Sequence, residues 1–331
     1  MCARYLYLLF WLTLQCLPGL EAQFYNGSQM EFGQNRIQYK PINWEFYRYP
    51  KYDVFFYAGG KDLSHQAARI ADEYLIELEN RFNYELENRL QIILFNRLSD
   101  LRQTNLGSMP DMENNPGGMT RQVGNKVMVY YTNGYVPFIN QLKAGIAGAF
   151  IQEMLYGSNL RERMRSGTVI RIPTWFEKGL AKYLSEPWDA AQTSRVRDGL
   201  INGRYFHLNR LEGEEAEIAG FSMWTFFARV YGERIITDIV NLTADYRSAD
   251  QGIQVALAQP ISLVWQEWLN FLDQQLIAAE SKTKPIAGKK ISGRYRRGFT
   301  YSRVRMHHDG KRIAYVRNDH GKNTIWLYNT E

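Results

Sequence analysis

A chain of 331 residues with 45% hydrophobic content can bury a large core, which excludes global disorder. The net charge of +6 is mild, and no stretch interleaves basic and aromatic residues as nucleic-acid modules do, so no nucleic-acid partner is expected.

The first segment, residues 1–22, has the layout of a cleaved secretory signal. Arg4 supplies the charged start, Tyr5 to Leu17 is an apolar run of about 13 residues, and small Ala22 precedes Gln23. The run falls short of the about 20 residues that span a bilayer. A retained anchor is one alternative. A lipoprotein site at Cys16 is another, although Gln15 stands where a small residue is needed. Both cysteines, Cys2 and Cys16, lie in this leader, so the exported chain can form neither a disulfide nor a cysteine-ligated metal site. No transmembrane helix follows.

Residues 23–49 are rich in Tyr, Phe, Asn and Gln and are expected to form an extended or β segment. A strand at Asp53 to Tyr57 ends at Gly59-Gly60. Apolar residues at Ala67, Ile70, Ala71, Tyr74, Leu75, Leu78 and Phe82 recur at helical spacing. Leu90 to Phe95 reads as a buried strand, residues 99–122 as a long loop, and Lys126 to Tyr131 as a further strand. Helices follow to about residue 279, including Phe221 to Gly232, Ile235 to Leu242, Ala249 to Ala258 and Leu263 to Leu276. Strands with a helix, then helices, predict an α+β domain over residues 50–279. Residues 280–298 form a basic linker, and residues 299–331 carry two short strands with Asp-Gly and His-Gly turns.

Two helical stretches carry the functional expectation. The first contains Ala144 to Ala149, whose small residues suit close packing, followed by Gln152-Glu153-Met154-Leu155-Tyr156. The second holds Pro173, Trp175, Gly179, Leu180, Ala181 and Tyr183. Together they resemble the gluzincin branch of the zinc metallopeptidases, with its His-Glu-x-x-His helix and a Pro-x-Trp-x-x-Glu-Gly-Leu-Ala helix. The resemblance implies a zincin-like fold, with a small sheet and a helical subdomain. It also implies ligand positions at Gln152, Tyr156 and Lys178, and a general base at Glu153. A ligand pair at i and i+4 shares one helix face, and a third ligand leaves an open tetrahedral position for water. Here the three positions hold an amide, a phenol and an ammonium, and the five histidines include no i,i+4 pair. The expectation is a degenerate site without zinc or other cofactor, in which Lys178 either pairs with Glu153 or extends to solvent.

The second resemblance covers residues 299–331. Asp309-Gly310-Lys311, Ile313-Ala314-Tyr315, Gly321 and Ile325-Trp326-Leu327-Tyr328 are similar to the repeat of TolB-type β-propellers. Propellers need about four to eight blades, so this would be the first repeat of a longer array, or else a hairpin docked on the helical domain. Chains joining the two parts resemble envelope proteins of Bacteroidetes-type bacteria. The combined expectation is an exported, periplasmic or outer-membrane-associated, non-catalytic module that binds a protein or peptide or scaffolds a complex. An edge strand at Lys126, Val127, Met128, Val129, Tyr130 and Tyr131 is the expected peptide-binding surface. The alternatives are a hydrolase with an atypical site using Glu153, and a purely structural module.

Overall fold

The computed structural model describes residues 39–103, 121–123, 125–131, 134–157, 172–282, 299–319 and 322–330. The expected signal segment, most of the N-terminal extended segment and the basic linker lie outside the described residues. The chain divides after Ile277 into two units.

The first unit opens with strands β1 (Glu45–Arg48) and β2 (Tyr52–Phe56), helix α1 (Lys61–Phe82), strand β3 (Leu90–Phe95), short helix α2 (Leu98–Arg102), and strands β4 (Arg121–Val123) and β5 (Lys126–Tyr130). The sheet order is β1-β2-β3-β5-β4. Strands β2, β3 and β5 run parallel, and β1 and β4 flank them antiparallel. Both faces of the central strands are covered, which explains their unbroken apolar runs. Val54, Ile92, Leu94, Val127 and Val129 join the main core. Phe55, Tyr57, Ile93, Phe95, Met128 and Tyr130 form a second cluster with Leu101 of α2, against which Trp44 packs.

One expectation fails here. Strand β5 is not an edge: Lys126 to Tyr130 pair with β3, and Lys126 to Met128 also pair with β4. Tyr131 lies just past the strand, its N–H donating to the Phe95 carbonyl at 3.0 Å. The sheet's described edges are β1 and β4. The expected loop 99–122 likewise ends in a strand residue pair, since β4 begins at Arg121.

The helices are α3 (Tyr135–Tyr156), α4 (Thr174–Ser185), α5 (Ala190–Ile201), a 3₁₀ helix (Arg204–Arg210), α6 (Gly213–Tyr231), α7 (Arg234–Tyr246), α8 (Ala249–Leu257) and α9 (Ile261–Lys282). Helix α3 packs against α1, α4, α7 and β5, so it is central, as its small residues and mostly apolar surface require. Helices α4 and α6 cross most closely at two glycines. A Cβ on Gly179 would lie 2.4 Å from the Gly220 backbone, and one on Gly220 would lie 1.9 Å from the Trp175 carbonyl oxygen. No helix among the described residues is long and apolar enough to cross a membrane.

The second unit is an antiparallel sheet of three strands, β6 (Phe299–Met306), β7 (Arg312–Asp319) and β8 (Lys322–Asn329), in that order. That is one strand more than expected. Strand β6 is interrupted by a register shift between Ser302 and Arg305, with Arg303 at φ +53°, which blurs its alternation in the sequence. The architecture is α+β, with an open three-stranded sheet at the C-terminal end and, among the described residues, no propeller closure.

Candidate functional site

The ligand-position residues lie on the last turn of α3 and the first turns of α4. Helix α4 is anchored by Trp175, wholly buried, whose Nε1 donates to Asn209 Oδ1 at 2.7 Å. Its neighbour Phe176 offers its carbonyl to Trp224 Nε1 at 3.0 Å. Both indoles thus bury large rings with their polar atoms satisfied. The Pro173–Tyr183 pattern is therefore used in packing: Trp175 as anchor, Gly179 as the crossing point with α6, and Leu180 and Ala181 in the core.

Glu153, 8% exposed, is held by the connection between α1 and β3. Its carboxylate accepts from the Glu87 N–H at 2.7 Å, the Asn88 N–H at 3.2 Å and the Tyr84 hydroxyl at 3.3 Å. The Tyr84 ring packs edge-on to Phe150, one turn back along α3. Three donors, two of them backbone, offset the cost of burying this charge. Lys178 is exposed and forms no ion pair with Glu153 among the described residues, so of the two expected alternatives the structure has the solvent-facing lysine. The physical reason is local: the loop's backbone donors reach the carboxylate directly, and a long ammonium side chain reaches water at little cost.

Tyr156 takes a different partner, its hydroxyl donating to Glu177 Oε1. Burial and the Glu177 charge push the phenol well above its ordinary value. Burial raises the Glu177 carboxyl as well, opposed by the Tyr156 hydrogen bond and the Lys178 charge. Gln152, half-buried, sits one turn before Tyr156 and has a partner of its own. One turn along α4, Lys182 bridges Glu186 at 3.1 Å and Glu217 of α6 at 3.0 Å. Burial pushes Lys182 down, but its two carboxylates outweigh this and its net direction is up. Glu217 is raised by burial despite Lys182. The two directions conflict for an isolated pair. The lysine's is the firmer, because Glu186 keeps it charged even when Glu217 holds a proton.

The structure thus joins Tyr156 to Glu177 rather than to Lys178, and turns Glu153 to the α1–β3 loop. Glu177 was missed in the sequence, although it precedes Lys178 directly and is rotated about 100° around the helix from it. The donor set does not fit zinc. A primary amide is a weak ligand, the phenol is hydrogen-bonded and hard to ionise, and the ammonium repels a cation. Among the described residues, no three His, Cys, Asp or Glu side chains stand together as a metal-binding group. No protein-family model matches the chain, and no curated protein matches it.

Proposed function

We propose that residues 50–279 are a zincin-like, peptidase-type module that has left catalysis and serves an exported envelope protein by binding a protein or peptide partner. The observation that carries this is the Tyr156–Glu177 hydrogen bond. It joins the second ligand position of α3 to the helix that would supply the third, and so uses protein donors where a metal site needs free lone pairs. The packing residues of the same helices, Trp175, Gly179 and Leu180, support a peptidase-type frame. A hydrolase working through Glu153 is disfavoured, since a base occupied by two backbone N–H groups is poorly placed to take a proton from water. Strand addition, if used, belongs at the edges β1 or β4 and not at β5. The strands β6–β8 fit the start of a propeller-type array in this proposal.

The experiment joins two measurements on the full chain. After incubation with zinc and dialysis, metal content by mass spectrometry is expected to stay far below one ion per chain, with no cleavage across a broad peptide library. Crosslinking in envelope extract is expected to place partner peptides on residues 50–279. Stoichiometric zinc with metal-dependent cleavage overturns the non-catalytic role. Crosslinks confined to residues 299–331 overturn the binding role.

A further inference from the structure

A cavity of about 380 Å³ lies between α5, the 3₁₀ helix and the start of α6, away from the Gln152–Lys178 region. Its size falls at the lower end of the about 300–1,000 Å³ of small-ligand sites. Tyr205 and Ile218 give it apolar surface, and each is 6% exposed. The Tyr205 ring enters because residue 199 is glycine: a Cβ there would lie 2.3 Å from the Tyr205 hydroxyl. The back of the ring rests against Trp268, with centroids 5.4 Å apart. The hydroxyl itself has no hydrogen-bond partner among the described residues, although the side chain is more than nine-tenths buried. A phenol that lines a cavity without a protein partner can both donate to and accept from whatever occupies that cavity.

The rim is charged but already paired. Arg204 bridges Asp198 at 2.7 Å and Glu215 at 3.0 Å, and Arg195 bridges Glu214. A charged ligand would have to break these pairs or stay outside them. A neutral ligand whose groups both donate and accept can bond to arginine N–H groups and carboxylate oxygens while the pairs persist. Its C–H surface can rest on the Tyr205 ring and Ile218. We propose that this cavity binds a neutral, hydroxyl-rich ligand of small-saccharide size, with the Tyr205 hydroxyl as its hydrogen-bond anchor. The site stands independently of the peptidase-type proposal.

Saturation-transfer NMR on the full chain tests this, with maltose, cellobiose and diacetylchitobiose as neutral probes and glutamate and arginine as charged ones. At least one disaccharide is expected to bind, unchanged between low and high salt, because no net charge is exchanged. Tyr205→Phe removes only the hydroxyl and is expected to weaken binding about fivefold. Ser194→Trp, on an exposed position of the cavity wall, is expected to abolish it. Circular dichroism confirms that each variant is folded, and Ser194→Trp decides alone should Tyr205→Phe misfold. Absence of binding by all three disaccharides overturns the proposal. So does binding unaffected by the folded variants, or salt-sensitive binding of glutamate or arginine in their place.

Discussion

At the scale of single residues, Glu153 and Lys178 have opposite fates. Glu153→Ala strips two backbone N–H groups and a phenol of their acceptor, and should lower stability by about 2 kcal/mol in urea titration. Lys178→Met should stay within about 0.5 kcal/mol of wild type, as for other exposed positions. A large loss from the lysine change would restore the buried ion pair. Glu177 gives a pH signature. Its folded carboxyl is raised by burial, so the native state holds that proton more tightly than the unfolded chain. Its contribution therefore favours folding at low pH and is lost as pH climbs from the ordinary value of 4.5 through the raised one. Glu177→Gln should flatten the fall in stability over that window, measured by urea midpoints at stepped pH. Glu217, shifted the same way, leaves a residual slope. That positions 152, 156 and 178 offer an amide, a phenol and an ammonium was legible in the residue types alone. The partners of Glu153 were not, because they are mainly backbone groups of residues 84–88, and backbone donors leave no mark in a sequence.

At the scale of elements, the close crossing of α4 and α6 is the most demanding contact. Gly220→Ala would drive a methyl group into the Trp175 carbonyl, where neither side is a flexible chain end. A loss of about 3 kcal/mol is expected from thermal or urea unfolding. Helices α1 and α3 were legible from the period of Ala67 to Phe82 and from the small residues of Ala144 to Ala149. Helix α1 also stops where Asn83 adopts the left-handed conformation. Strand β5 was legible as a strand but not as an interior one. Its outer neighbour β4 spans only Arg121–Val123, too short to show alternation, and follows a stretch without any period. The C-terminal sheet has three strands where two were expected, and the register shift at Ser302 to Arg305 breaks the two-residue repeat of β6.

At the scale of the whole molecule, the two units differ in self-sufficiency. The first holds a continuous core running from Tyr52 to Leu272, whereas Ile313 is the one buried apolar residue among the described residues of the second. Residues 39–282 produced alone should keep their helical dichroism and unfold cooperatively. Residues 299–330 alone should give the narrow amide dispersion of an unfolded chain by NMR, since three strands without a covered face lack a core. An α+β class was legible from the order of strands and helices, whereas the sheet's pairing order depends on contacts between distant segments. The Glu153 contacts are of that kind, for they close a separation of 66 residues between the α1–β3 connection and α3. Bringing such distant segments together carries an entropic cost that is met before the bonds reward it, so this latch should form after the folding barrier is crossed. Its strength would then appear in the lifetime of the native state, as a brake on unfolding, with little influence on how quickly the chain folds.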